Sequence, residues 1–207
     1  MKVKICGITN TADALACVEA GADMLGFIMF PKSARYIERS VLKTIIDELP
    51  DNVLRVGVYV NEPIANVHAD IENGFFDILQ FHGSETPDYC AKFENEDVFK
   101  AMHIMNEKDL GLIDSYKVQA FVLDSKTEKL PGGTGIICDW SMAKKAQEKA
   151  GCVILSGGLT QFNVAEAIQT VNPYGVDVST GVEKEPGIKD HDKIKEFIRI
   201  AKTAYNA

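Results

Sequence analysis

Short apolar runs alternate with amphipathic stretches from one end of the chain to the other. Period-two and β-branched runs predict strands at Val3–Cys6, Met24–Met29, Leu54–Val60, Ile78–Phe81, Val98–Met102, Ala120–Leu123, Val153–Leu155 and Gly175–Val178. Between them, helical spacing predicts Thr11–Ala20, Ser40–Glu48, Ile64–Glu72, Pro87–Phe93, Glu107–Leu112, Ser141–Lys149, Gln161–Thr170 and His191–Tyr205. Asn10 is placed to cap the first helix, with Asp13 near its positive end and Gly21 past its last turn.

This rhythm gives eight βα units with no linker or composition break. It predicts one α/β domain over residues 1–207, a parallel sheet closed as a (β/α)8 TIM barrel. An open doubly wound sheet would want a G-x-G-x-x-G turn after its first strand. The turn here is Cys6-Gly7-Ile8-Thr9-Asn10, with a single glycine.

A barrel carries its chemistry at the C-terminal strand ends, and polar residues collect there. Strand 1 ends at Cys6, strand 4 at Gln80-Phe81-His82-Gly83 and strand 6 at Asp124. Strand 7 ends at Ser156-Gly157-Gly158, and strand 8 runs into Asp177-Val178-Ser179-Thr180-Gly181. Strands 1 and 6 face each other across the mouth, so Cys6 and Asp124 can work on one small substrate as base and acid. A buried thiol can also serve only as packing; the rim position, Gly7 and the opposed Asp124 favour chemistry.

A free thiol is mostly protonated at neutral pH, so a nearby cation would help it. Lys4 shares the strand face of Cys6, roughly 7 Å along it. It is equally placed to neutralise Asp177 on the adjoining strand 8. Gly157, Gly158, Ser179 and Gly181 suit a phosphate, because the loops after strands 7 and 8 form anion cradles in such barrels. Arg35, in the loop after strand 2, can fork onto a carboxylate. His82 either orients substrate or is a hydrogen-bonded rim histidine, whereas His68, His103 and His191 show no pairing. Pro131-Gly132-Gly133-Thr134-Gly135 suggests a lid or a further wall.

Composition narrows the partners. The 207 residues are 46% hydrophobic, with a net charge of −8 and no basic block, which argues against nucleic acid and anionic membrane. Five scattered cysteines without a C-x-x-C pair disfavour a zinc site or a disulfide framework. No signal-type or membrane-length apolar run appears, so a cytoplasmic protein is expected. No rim or helix shows a long apolar stripe left unassigned, so a monomer is expected.

Lys4-Ile5-Cys6-Gly7-Ile8-Thr9, Ser33-Ala34-Arg35-Tyr36-Ile37, Val56-Gly57-Val58-Tyr59-Val60-Asn61, Gln80-Phe81-His82-Gly83, Gly132-Gly133-Thr134-Gly135 and Gly175-Val176-Asp177-Val178-Ser179-Thr180-Gly181-Val182-Glu183 occur in that order. Together they resemble the phosphoribosylanthranilate isomerases of tryptophan biosynthesis. The resemblance implies an Amadori rearrangement of N-(5-phosphoribosyl)anthranilate to 1-(o-carboxyphenylamino)-1-deoxyribulose 5-phosphate, without metal or organic cofactor. It implies Asp124 as general acid, Cys6 as general base and Arg35 for the anthranilate carboxylate. Gly157, Gly158, Ser179 and Gly181 fall on the phosphate loops. His82 and Asp177, also at strand ends, are further substrate-binding candidates.

Ala34 stands where the family commonly has proline, Cys138 where it has an aromatic, and Phe81 where it has leucine. Another phosphosugar-isomerising barrel would want two opposed carboxylates or a metal cluster. A silent phosphate-binding barrel would have lost the acid or the base.

Overall fold

A computed structural model describes residues 1–124 and 139–205. Eight parallel strands close into a barrel in chain order: β1 (Lys2–Cys6), β2 (Met24–Ile28), β3 (Leu54–Tyr59), β4 (Ile78–Phe81), β5 (Val98–Met102), β6 (Ala120–Leu123), β7 (Val153–Leu155) and β8 (Gly175–Val178). Among the described residues the helices are α1 (Thr11–Glu19), α2 (Arg39–Ile46), α3 (Ile64–Glu72), α4 (Pro87–Cys90), α5 (Glu107–Gly111), α6 (Trp140–Ala150), α7 (Val164–Val171) and α8 (His191–Ala204). The expected (β/α)8 barrel is therefore the observed fold. A two-stranded hairpin, β9 (Glu183–Glu185) with β10 (Ile188–Lys189), follows β8 and was not expected.

Alternation along each strand builds two cores. Val3 and Ile5 of β1 join Leu25, Phe27, Val176 and Val178 in the shell under the helices. Cys6 joins Met24, Val56, Val58, Ile78, Phe99, Val122 and Ile154 inside the barrel. The β1–β8 register sets Lys4 opposite Asp177, which closes the ring. No described helix is long and apolar enough to cross a membrane.

Helix ends differ from the expected ones for local reasons. Asn10 Oδ1 accepts from the Asp13 amide, so α1 starts where capping predicts. The stretch expected as one helix from Pro87 to Phe93 tightens after Cys90 into a 3-10 turn, Ala91–Phe93. α7 begins at Val164, because Asn163 Oδ1 accepts from the Thr160 amide and holds the preceding residues in a turn.

Outside the barrel wall, the rim loops are tied by a buried cation. Lys100 Nζ donates to the carbonyls of Phe81 (3.1 Å), Gly83 (2.8 Å) and Ala101 (3.1 Å), and to Glu85 Oε2 (3.0 Å). Glu85 accepts in turn from the amides of Asn61 and Gly83, so one pair fixes the loops after β3 and β4. Removing one partner leaves a buried charge uncompensated. Lys100→Met should lower stability by about 3 kcal/mol, or roughly 10 °C in Tm. Adding Glu85→Gln should recover part of the loss in thermal unfolding, and a Tm unchanged in the single variant would contradict this role.

Candidate active site

β1 delivers Lys4 and Cys6 to the barrel interior, two residues apart on one face. Lys4 is fully buried, and its Nζ lies 3.0 Å from Asp177 Oδ1. Ser156 Oγ lies 3.3 Å from the other oxygen of that carboxylate. Gly26 of β2, paired with Cys6, makes the room. A Cβ there would stand 2.8 Å from Cys6 Sγ and 2.9 Å from Lys4 Nζ. Both groups therefore crowd one point, and Lys4 fills both roles left open by the sequence: it neutralises Asp177 and faces the thiol.

Burial pushes the Cys6 thiol above its ordinary pKa, aided by the Asp177 charge and opposed by Lys4 and Lys189. Burial also works against the Lys4 ammonium, yet Asp177 and Cys6 outweigh it and hold Lys4 above the ordinary lysine value. The thiolate formed here is consequently a strong base, stabilised by adjacent ammonium groups.

Across the mouth, Asp124 follows β6. Its Oδ2 lies 3.2 Å from His82 Nε2, and Gln80 Nε2 lies 2.9 Å from His82 Nδ1. The Gln80 amide nitrogen can only donate, which leaves Nε2 as the ring nitrogen facing Asp124. His82 is hydrogen-bonded at the rim, held between Gln80 and Asp124. His103, expected to be unpaired, places Nδ1 2.9 Å from the Asp124 carbonyl oxygen. His191, likewise expected to be unpaired, places Nε2 2.8 Å from Asp13 Oδ1.

A cavity of about 250 Å³ opens from Asp124 along the ends of β7 and β8, lined by Asp124, Ser156, Gly157, Gly158, Asp177, Ser179 and Gly181 among others. Gly157 and Gly158 have φ of 83° and 67°, a left-handed conformation that turns backbone toward the cavity and that side chains disfavour. Asn163 Nδ2 bonds the Gly158 carbonyl at 3.0 Å and holds that turn. The buried Ser179 Oγ has no hydrogen-bond partner among the described residues, which suits an incoming anion. Positive-φ amides with an unpaired hydroxyl make a cradle for a phosphate.

The loop carrying Arg35 returns to the end of β2, where Tyr36 pairs with Ile28 in a parallel bridge. Arg35 Nε and Nη2 fork onto the Glu183 carboxylate at 2.8 and 2.7 Å. The sequence placed Arg35 on the rim but gave no sign of this partner, nor of Lys189, whose Nζ donates to the Cys6 carbonyl at 2.6 Å. Both belong to the β9–β10 hairpin, whose polar sequence carries no strand pattern. The Pro131–Gly135 loop and Cys138 lie outside the described residues.

The family description N-(5'phosphoribosyl)anthranilate (PRA) isomerase matches residues 3–200. The N-(5'-phosphoribosyl)anthranilate isomerase of Trichlorobacter lovleyi is 47% identical over 99% of each chain. Solved monomers of the dimeric Thermotoga maritima phosphoribosylanthranilate isomerase share 41% identity, cover 98% of this chain and 99% of that one, and superpose with a TM-score of 0.87. A solved complex of such an isomerase with reduced 1-(o-carboxyphenylamino)-1-deoxyribulose 5-phosphate gives 41%, 98%, 99% and 0.87 for the same four quantities. Fold, rim chemistry and nearly full-length similarity converge, and the chain belongs to the phosphoribosylanthranilate isomerase family.

Proposed function

We propose that Cys6 and Asp124 are the base and acid of an isomerase that converts N-(5'-phosphoribosyl)anthranilate to 1-(o-carboxyphenylamino)-1-deoxyribulose 5-phosphate. The observation that carries this reading is the cavity itself. Asp124 and the glycine-lined cradle of β7 and β8 share one wall, and Asp177 of that wall bonds the lysine that faces Cys6.

Phosphate seats on the Gly157–Gly158 and Ser179–Gly181 backbone, and Arg35 receives the anthranilate carboxylate. Asp124, oriented by His82, gives a proton to the furanose ring oxygen, and the C1–O bond opens to a protonated Schiff base. The Cys6 thiolate then removes the proton at C2, and the electrons flow to nitrogen to give an enolamine. Tautomerisation places a proton on C1 and leaves the ketone at C2. C1 is reduced as C2 is oxidised, so the step is an intramolecular oxidoreduction of the aldose–ketose type. Asp177 contributes through Lys4 and at the sugar side of the cavity.

The four described cysteines are free thiols, which supports a reducing, cytoplasmic setting. For assembly we infer a monomer; sedimentation at the mass of one chain supports it, and the mass of two, the state named for the Thermotoga maritima relative, overturns it.

Loss of anthranilate-ring fluorescence follows substrate consumption. Cys6→Ser and Asp124→Asn should each lower kcat by about 100-fold or more, with smaller changes in KM. Turnover retained in both variants would remove the acid–base assignment, and no turnover by the intact chain would point to a silent binder.

The rate of Cys6 alkylation should rise with pH through a value above the ordinary thiol range, because burial disfavours the thiolate. Lys4→Met removes a cation and exposes the thiol to an unpaired Asp177, so the midpoint should move up. Asp177→Asn removes an anion and should move it down. An identical pH profile in all three proteins would rule out Lys4 as the partner of the thiol.

A further inference from the structure

The β9–β10 hairpin gathers three charged side chains beside β1. Glu183 holds the Arg35 guanidinium through both its oxygens, and Oε1 also accepts from Lys189 Nζ at 2.8 Å. Lys189 is only 1% exposed, and its ammonium reaches the Cys6 carbonyl oxygen. Arg35 is packed over the β1 end, with its Cδ 2.7 Å from where a Cβ on Gly7 would stand. Asp13, the acid on the other side of the hairpin, is engaged by Asn10 Nδ2, the Lys189 backbone amide and His191.

An arginine forked onto a buried carboxylate forms a neutral pair, and a neutral pair attracts a second carboxylate weakly. Here two cations share one carboxylate, so the trio keeps one positive charge. Lys189 is enclosed, whereas the Arg35 side chain is 14% exposed. Glu183 engages Nε and Nη2, which leaves Nη1 for a ligand.

We propose that Lys189 is a specificity-determining positioning residue: its buried ammonium offsets the charge of Glu183, so that the cluster around Arg35, held in place by that carboxylate, keeps a net positive charge toward the substrate's carboxylate. The inference rests on the reading that Arg35 receives this group. Glu183 then supplies geometry without competing for charge. The same ammonium also favours ionisation of Cys6.

The test compares binding of two probes: reduced 1-(o-carboxyphenylamino)-1-deoxyribulose 5-phosphate and the same compound lacking the ring carboxylate. The ratio of their Kd values isolates the carboxylate, and general loosening of the barrel lowers both affinities without changing it. Intact protein should prefer the carboxylated probe by at least about tenfold, and Arg35→Ala should bring the ratio near one. Lys189→Gln keeps a donor for the Cys6 carbonyl but removes the charge, and should bring the ratio within about threefold of one. Glu183→Gln combined with Lys189→Gln restores a net positive charge at Arg35 and should return the ratio to within about threefold of the intact protein.

A ratio unmoved by Arg35→Ala would remove the underlying reading. A ratio that collapses with Arg35→Ala but survives Lys189→Gln overturns the role of Lys189 alone. Should Lys189→Gln fail to fold, its effect is read in the Glu183→Gln background, where loss of the Glu183 grip on Arg35 is common to both proteins and Lys189→Gln should lower the ratio. A ratio that Lys189→Gln leaves unchanged in that background overturns the charge argument.

Discussion

The ion pair between Lys4 and Asp177 governs how the site is built. These side chains face each other across the seam where β1 meets β8, with Nζ 3.0 Å from Oδ1 and both groups buried. A charge in a barrel interior is tolerated only with a partner, and loss of either partner typically costs about 3–5 kcal/mol. The pair therefore couples closure of the ring to the electrostatics of its mouth. Cys6 lies one pleat above Lys4, so the ammonium that closes the seam also steadies the thiolate. Asp177 extends the coupling through Ser156 to the wall of the cavity.

A second set of charges repeats this logic at the edge of the rim. The hairpin after β8 places Glu183 against Arg35 and Lys189 beneath it, and Lys189 reaches back to the carbonyl of Cys6. Strand 1 is thus held from inside by Lys4 and from the hairpin side by Lys189, one ammonium near its sulfur and one on its backbone. Opposite, Gln80 holds the His82 ring, and His82 Nε2 lies 3.2 Å from Asp124 Oδ2. Ammonium groups thus flank the thiol on one side of the mouth, and an imidazole lies beside the Asp124 carboxyl on the other.

Much of this was legible in the residues. The strands β4, β5, β6, β7 and β8 begin and end where the apolar pattern places them, because buried parallel strands carry a strong β-branched and aromatic signal. Rim residues such as Cys6, Asp124 and Gly157 follow from barrel topology once the strands are placed. The hairpin was hidden because Glu183-Lys184-Glu185-Pro186-Gly187-Ile188-Lys189 is polar and short, and its pairing depends on contacts with Arg35 and Cys6. Likewise, Glu85 and Lys100 give no local sign that they meet, since their bond joins one loop to the next strand. Charge pairs between distant segments are tertiary facts, and periodicity does not encode them.

The most direct measurement is a crystal structure of this chain with reduced 1-(o-carboxyphenylamino)-1-deoxyribulose 5-phosphate bound. The account predicts phosphate on the amides of Gly157, Gly158 and Gly181, carboxylate on Arg35, and sugar C2 within about 3.5 Å of Cys6 Sγ. Asp124 should face the oxygen that closes the furanose ring. A ligand bound with its C2 turned away from Cys6, or with its phosphate away from the β7 and β8 loops, would contradict the account.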